Sequence, residues 1–222
     1  MNFLFCGYRD WAISVFNNLE KKFDEDNFFL AKSNKQFLEY QKYHINFDII
    51  FFVGWSWIIE EDFVANNKCI CVHPSPLPKY RGGSPIQHQI ISGEKHSKVT
   101  AFLMNDKIDA GPIYAVSYAF NLDGNLSDVL TRISVRSIFC LTEIIKNLKE
   151  NTLVEIKQEE KNASYFSRRK PKDSEILPED FKNCTAEEIY NKIRSLQDPY
   201  PNTYIVCGDG SKVYLTMAKI DD

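Results

Sequence analysis

Short apolar runs alternate with helix-like segments along the first two thirds of the chain. Four such runs, at residues 3–6, 28–30, 48–53 and 69–72, predict β-strands. The third run is apolar on both faces, as expected for a central strand of a parallel sheet. Between the runs, apolar residues recur at intervals of three and four, which is the spacing of a helix with one buried face. Strands that alternate with helices predict an α/β fold with a Rossmann-like, open, mostly parallel sheet.

The pattern changes in the last third of the chain. Further strands are predicted at residues 99–104 and 113–120, and a long amphipathic helix at residues 127–148. A basic connector, a helix that begins with a capping box at Thr185 and a β-hairpin then follow. We therefore expect a main domain over residues 1–160 and a C-terminal connector, helix and β-hairpin extension over residues 161–222. The extension is too small for a core of its own and should pack on the main domain or on a second subunit.

Composition and charge exclude some classes of protein. The chain of 222 residues is 44% hydrophobic and 26% charged, as is usual for a soluble globular protein. A net charge of -3 argues against a nucleic-acid partner, because such binding depends on neutralising phosphates. No apolar run approaches the roughly 20 residues that span a bilayer, and the N-terminus lacks the basic segment of a signal peptide. We expect a cytoplasmic protein with no membrane partner.

The six cysteines predict buried, reduced thiols rather than a metal site. Most of them lie in apolar segments, where a free cysteine behaves as a small hydrophobic residue. The only close pair is Cys69 and Cys71, and no second pair at ligand spacing completes a zinc site.

The most informative segment begins where the fourth predicted strand ends. Residues 72–87 read VHPSPLPKYRGGSPIQ, and His73 closes the strand. Three prolines stiffen the loop that follows, two cations can face an anionic substrate, and two glycines let backbone approach a ligand closely. The cations and glycines are Lys79, Arg81, Gly82 and Gly83. This layout predicts a polar site at the carboxyl edge of the sheet.

Asp109 is the second candidate for chemistry, in a turn-rich loop between two apolar strands. Neighbouring strands can bring it to His73, where a carboxylate would orient the imidazole or raise its basicity. A turn aspartate that caps backbone amides is the alternative. Cys71 shares the strand face of His73, so a cysteine nucleophile is a further alternative to proton transfer.

Three segments together, residues 72–87, 99–100 and 109–113, resemble the 10-formyltetrahydrofolate-dependent formyltransferases. That family includes methionyl-tRNA formyltransferase, glycinamide ribonucleotide transformylase and the nucleotide-sugar N-formyltransferases. Residues 165–171 and 193–201 also resemble the sugar and tRNA members. The resemblance implies that residues 1–160 are a formyltransferase catalytic domain. It also implies 10-formyltetrahydrofolate as the formyl-donating cosubstrate and no metal.

The resemblance also implies catalytic roles. The family uses an asparagine, a histidine and an aspartate, and His73 and Asp109 match the last two. Cys71 stands where the family has the asparagine, whose amide can donate to the developing oxyanion. A thiol is a weaker donor, and loss of an oxyanion donor can cost on the order of a hundred-fold in rate.

Binding roles follow from the same resemblance. The pterin is expected against the loop after the third strand and the loop before the aspartate. Those positions are Trp55, Trp57, Ile58, Asn105, Asp106 and Ile108. The formyl acceptor is expected against a second set, namely Arg9, Ser75, Lys79, Arg81, Gly82, Gly83, Gln87 and Arg169.

The expected acceptor is an amino sugar linked to a nucleoside diphosphate, for a surface polysaccharide of the O-antigen type. The tRNA enzymes carry a basic C-terminal barrel, whereas this chain is acidic and reaches only one hairpin, and its basic residues suit a diphosphate. Two alternatives stay open: a shortened methionyl-tRNA-type formyltransferase, and a catalytically impaired homologue that binds folate or a sugar nucleotide. A homodimer through the C-terminal extension is also expected.

Overall fold

The six strands predicted from apolar runs form one sheet in the computed structural model, which describes residues 1–42 and 45–221. Other, short strands lie outside this sheet in two-stranded pairs. In order, the strands are β1 (Asn2–Cys6), β2 (Asn27–Ala31), β3 (Ile49–Val53), β4 (Cys69–His73), β5 (Arg81–Gly82), β6 (His96–Ser97), β7 (Thr100–Leu103), β8 (Ile113–Val116), β9 (Phe120–Asn121), β10 (Tyr165–Phe166), β11 (Thr203–Val206) and β12 (Lys212–Leu215).

Helices connect the strands and cover both faces of the sheet. They are α1 (Asp10–Lys22), α2 (Asn34–Lys42), α3 (Glu61–Asn66), α4 (Pro85–Ile91), α5 (Leu126–Lys149), α6 (Asp180–Asn183) and α7 (Ala186–Ser195), with single 3₁₀ turns at Glu160–Asn162 and Pro171–Ser174. Both faces of β1 are buried, and its alternating side chains show how the sequence builds two layers. Phe3 and Phe5 face the core cluster that includes α1 and α5, whereas Leu4 and Cys6 face the cluster that includes α2.

The sheet order is β2-β1-β3-β4-β7-β8. The first four strands are parallel, β7 is antiparallel to β4, and β8 is antiparallel to β7. The prediction of a mostly parallel α/β sheet is therefore confirmed. Since β2 and β3 lie on opposite sides of β1, the chain order reverses there. In open α/β sheets, ligands bind outside the carboxyl ends of the strands at such a switch point.

The C-terminal extension packs on the main domain. Strand β10 pairs in parallel with β5, helix α7 contacts α4, and β11 and β12 form the predicted hairpin. Helix α7 begins with the predicted capping box, in which Thr185 and Glu188 exchange hydrogen bonds of 3.2 and 2.7 Å between side chain and backbone. The division of the chain at residue 160 remains a prediction.

None of the helices within residues 1–42 and 45–221 is long and apolar enough to cross a lipid bilayer. Over the same ranges, no three His, Cys, Asp or Glu side chains are grouped so that they could hold a metal ion.

Candidate active site

His73 stands at the carboxyl end of β4 and is only 5% exposed. Its Nε2 lies 2.7 Å from the backbone carbonyl oxygen of Tyr80. A carbonyl oxygen can only accept, so Nε2 carries a hydrogen and donates it. The other ring nitrogen, Nδ1, lies 3.6 Å from Oδ2 of Asp109. The neutral imidazole therefore presents Nδ1 as an unprotonated base, and the protonated imidazole pairs with a carboxylate.

Asp109 comes from the loop between β7 and β8, where its backbone has a φ of +50°. Aspartate tolerates this left-handed region better than most residues. The carboxylate Oδ2 accepts a hydrogen bond of 2.7 Å from the backbone N–H of Gly82. The segment Tyr80–Gly82 therefore contacts both catalytic candidates. Its Tyr80 carbonyl accepts from His73, and its Gly82 N–H donates to Asp109. The sequence prediction that these two residues meet at the sheet edge agrees with this geometry.

Gly82 and the following Gly83 leave room for the C-terminal connector to pack against this segment. A Cβ on Gly82, whose φ is +93°, would lie 2.3 Å from the carbonyl oxygen of Phe166. A Cβ on Gly83 would lie 2.4 Å from Cα of Arg168, and the Gly83 N–H donates to Phe166 at 2.9 Å. The two glycines were expected to let backbone approach a ligand. The structure shows that they let the connector pack closely, with β10 beside Gly82 and Arg168 beside Gly83, and their approach to a ligand stays a prediction.

A cavity of about 760 Å³ opens at the switch point of the sheet, between the ends of β1, β3 and β4. Most of the residues predicted for the site line it. These are Arg9, Trp55, Trp57, Ile58, Cys71, His73, Gly82, Gly83, Gln87, Asn105, Asp106, Ile108, Asp109 and Arg169. The structure thus brings the predicted catalytic, pterin and acceptor positions into one space.

Three predicted binding residues, Ser75, Lys79 and Arg81, do not line the cavity. Ser75 is fully buried, and its hydroxyl donates to the Lys79 carbonyl at 2.8 Å. Arg81 is also fully buried, with its guanidinium bonded to Gln158 and Glu160. The expectation that Arg81 contacts the substrate is corrected, because its donors are directed at protein groups.

Exposed apolar side chains stand at the mouth of the cavity. Ile58, from the loop after β3, is 97% exposed, and Ile108, from the loop before Asp109, is 70% exposed. Trp57 is 40% exposed and packs against Trp55 with 4.6 Å between ring centroids. Exposed apolar side chains on two loops of one opening are typical of a surface that a ligand covers.

The cavity lining is positive although the chain as a whole is negative. Five cations and three carboxylates line it. The cations are Arg9, Lys107, Arg168, Arg169 and Lys170, and the carboxylates are Glu61, Asp106 and Asp109. Sequence reasoning did not select Arg168 or Tyr200 for the site. Arg168 stands in the basic connector, and Tyr200 lies in residues 193–201, which resemble the sugar and tRNA members. The Arg9 guanidinium lies 4.3 Å from the Tyr200 ring centroid.

Four buried donors in this lining, one of them Nε1 of Trp11, have no hydrogen-bond partner within the described part of the chain. The other three are Nε1 of Trp55, Nε2 of Gln87 and Nε of Arg169. A buried donor without a partner costs about 1–3 kcal/mol, so such groups are usually satisfied by something. Their common location fits a ligand that carries several acceptor oxygens or nitrogens.

Comparison with known proteins places the chain. Residues 13–127, more than half of its length, match the family model described as formyl transferase. The chain belongs to the formyl transferase family. The family expected from residues 72–87 and 109–113 is therefore confirmed.

Individual formyl transferases resemble the chain to different extents. It is 32% identical over 179 residues to the methionyl-tRNA formyltransferase of Hydrogenobaculum sp. strain Y04AAS1, covering 78% of this chain but only 56% of that protein. The structure of methionyl-tRNA formyltransferase from Clostridium thermocellum matches with a TM-score of 0.82 and 29% identity over 96% of each chain. An N-formyltransferase from Helicobacter canadensis, in complex with folinic acid and dTDP-3-aminofucose, shares the fold with a TM-score of 0.66 and 22% identity, over 87% of this chain and 79% of that one.

Cys71 is where this formyl transferase departs from the pattern expected of its family. It lies on β4 two residues before His73 and packs against Leu77 and Phe102. Burial raises the pKa of the Cys71 thiol well above its usual value, and the Asp109 carboxylate raises it further. The thiol is therefore protonated at neutral pH, which does not fit the alternative of a cysteine nucleophile. A protonated thiol can still act as a weak donor.

Proposed function

We propose that this protein transfers the formyl group of 10-formyltetrahydrofolate to an amine. The observation that carries the proposal is the pairing of His73 with Asp109, 3.6 Å apart in the wall of a cavity of about 760 Å³. Membership of the formyl transferase family supports it.

In the proposed reaction the substrate amine attacks the formyl carbon and forms a new C–N bond. The bond between that carbon and the folate nitrogen then breaks, and tetrahydrofolate leaves. Nδ1 of His73 accepts the proton that the amine loses and returns a proton to the leaving nitrogen. Asp109 stabilises the imidazolium between these two steps. Cys71 offers the oxyanion a thiol in place of an amide, so we expect turnover to be slow.

The folate would lie in the outer part of the cavity. Trp55 offers an unpartnered indole N–H to a pterin acceptor, and Ile58 and Ile108 offer apolar surface at the mouth. Asn105, Asp106 and Trp57 complete the lining that we assign to the cosubstrate.

As acceptor we propose an amino sugar linked to a nucleoside diphosphate, in the synthesis of a surface polysaccharide in the cytoplasm. A diphosphate would supply acceptor oxygens for Gln87 Nε2 and Arg169 Nε. Arg9, Arg168 and Lys170 contribute positive charge to the same cavity. The Helicobacter canadensis protein, whose structure contains dTDP-3-aminofucose, supports this class of acceptor.

Methionyl-tRNA is the second candidate acceptor. The 32% identity to the Hydrogenobaculum enzyme and the TM-score of 0.82 to the Clostridium thermocellum enzyme favour it. The chain spans just over half the length of that curated relative, so the relative's substrate does not transfer automatically. A catalytically impaired binding protein is the third candidate, and Cys71 is the residue that favours it.

One experiment separates the three candidates. Purified protein with 10-formyltetrahydrofolate is offered UDP-, dTDP- and GDP-linked aminodeoxy sugars and, in parallel, charged initiator tRNA, with formylated product measured by mass spectrometry. We expect product from a sugar nucleotide and none from Asp109→Asn. Product from tRNA alone would replace our first choice. No product from either, with turnover gained by Cys71→Asn, would favour the impaired homologue.

We also propose a homodimer through the C-terminal hairpin. Val206 and Tyr214, which are 46% and 57% exposed, share one face of the hairpin and give that face an apolar surface for a partner. Light scattering after gel filtration should show twice the mass of the chain, and Tyr214→Asp should shift the population towards monomer. A monomer in the unaltered protein would contradict this assignment.

A further inference from the structure

Gln158 connects to the loop of Asp109, although no sequence signal pointed to it. The residue lies between α5 and the Glu160–Asn162 turn and is 7% exposed. Its Nε2 donates to the backbone carbonyl of Asp109 at 2.9 Å and to that of Gly111 at 2.7 Å. Both amide donors of one side chain are therefore committed to the same bend of the chain.

The other end of the Gln158 amide is held by Arg81. Oε1 accepts from Nε and Nη2 of this arginine at 3.1 and 2.9 Å. Arg81 is fully buried, and its remaining nitrogen pairs with Glu160 at 2.8 Å. The planar guanidinium presents its donors in a fixed geometry, so it also fixes which way the amide faces.

The choice of glutamine at position 158 is informative. A glutamate would pair better with a buried guanidinium, because charge-assisted hydrogen bonds are the stronger ones. A carboxylate has no donor at neutral pH and would face the two carbonyl oxygens of Asp109 and Gly111 with its own oxygens. Only an amide satisfies Arg81 on one side and the bend on the other.

The bend of the chain at residues 109–112 packs against β7 on the side away from Gln158. A Cβ on Gly111 would lie 1.7 Å from the carbonyl oxygen of Leu103, and the Leu103 N–H donates to Pro112 at 2.9 Å. Gln158 holds the near side. Together these contacts maintain Asp109 in its left-handed conformation, from which Oδ2 reaches the N–H of Gly82.

We propose that Gln158 is a positioning residue for Asp109, with its amide oriented by the buried Arg81. It acts by fixing the backbone from which the carboxylate reaches both Gly82 and His73, and it does not line the cavity itself. The kinetic consequence rests on the proposed formyl transfer, whereas the structural consequence does not.

The structural test uses hydrogen exchange of the Gly82 amide, which donates to Asp109, followed by NMR. Gln158→Glu keeps an acceptor for Arg81 and removes both amide donors. We expect at least a ten-fold faster exchange at Gly82, with amides of β1 and β3 unchanged. Gln158→Met, of similar size, should give at least the same increase. The matched control is Tyr114→Phe. It removes a hydrogen bond of 2.8 Å to Glu155, which lies three residues before Gln158, and should leave hydrogen exchange at the Gly82 amide unchanged.

A double-mutant cycle shows whether the effect passes through Asp109. In an Asp109→Ala background, Gln158→Glu should no longer accelerate exchange at Gly82. Gln158→Glu alone should lower kcat at least ten-fold. The KM for 10-formyltetrahydrofolate and the KM for the amine acceptor should both stay within two-fold. Exchange at Gly82 within two-fold of the unaltered protein in both Gln158 variants would overturn the proposal, and so would fully additive effects in the cycle. Absence of formyl transfer in the unaltered protein would refute the proposed function and leave the exchange result to decide this inference.

Discussion

The inner wall and the mouth of the cavity are built differently. At the inner wall, His73 is 5% exposed and bonds to Tyr80, and the Asp109 carboxylate accepts from Gly82. At the mouth, Ile58 and Ile108 are 97% and 70% exposed. Under the proposed function, this difference separates the chemistry, which needs fixed geometry, from recognition, which uses exposed loops on a rigid scaffold. Changes at the inner wall should alter turnover or folding, and changes at the mouth should alter affinity.

The largest expected effect on turnover is that of Asp109→Asn. The amide oxygen can still accept from Gly82, so the loop keeps its hydrogen bond, but the charge that stabilises a protonated His73 is lost. We expect kcat to fall by about 10²–10⁴-fold, with KM for the folate little changed. Steady-state kinetics would check this, and a kcat within three-fold of the unaltered enzyme would exclude Asp109 from the mechanism.

Gly111→Ala should have the largest effect on stability. The new Cβ would be 1.7 Å from the Leu103 carbonyl oxygen, so β7 or the bend at Asp109 must shift. We expect a loss of about 3 kcal/mol in the free energy of unfolding by urea. Gly208→Ala in the hairpin is the matched control, since nothing lies within 4 Å of its Cβ. Equal stability of the two variants would show that the bend is not packed as described.

Much of this fold could be predicted from the sequence, because apolar runs and helical spacing report burial directly. The capping box at Thr185 could also be predicted, because the residues that form it are close together in the sequence. Contacts between distant segments were not predictable. Nothing in the sequence shows that β5 pairs with β10, so the close packing of Gly82 against Phe166 could not be predicted. The charge of Arg81 likewise could not reveal that the guanidinium is buried against Gln158.

Cys71→Asn tests whether the inner wall lacks an oxyanion donor. An asparagine amide would restore the group that the family pattern leads us to expect, so kcat should rise about ten-fold. The polar group would also sit against Leu77 and Phe102, which should lower the thermal midpoint by a few degrees, roughly the effect of 1 kcal/mol. A lower kcat in a folded variant would show that the site functions without that donor.

Ile58→Ser probes the mouth of the cavity. If the folate covers this side chain, the variant loses apolar burial of about 1.5 kcal/mol, and KM for the folate should rise about ten-fold. Because Ile58 is 97% exposed and its side chain carries no group that can transfer a proton, kcat should stay within two-fold. A fall in kcat with unchanged KM would contradict the assignment of affinity to the mouth and turnover to the inner wall.

The smallest effect concerns alkylation of the thiols. Burial raises the pKa of Cys71, so at pH 7 it is protonated and should react slowly with iodoacetamide, and faster only as the pH rises. The exposed Cys184 should be modified first and serves as an internal control. Peptide mass mapping would follow both sites. Rapid labelling of Cys71 with loss of activity would revive the nucleophile alternative.

The most direct test of the division between chemistry and recognition uses one preparation of His73→Ala. Its affinity for folinic acid and its kcat for formyl transfer are both measured against the unaltered enzyme. We predict a Kd within two-fold of that of the unaltered enzyme and a kcat lower by at least about 100-fold. A Kd that rises in proportion to the loss of kcat, or a kcat that is maintained, would contradict it.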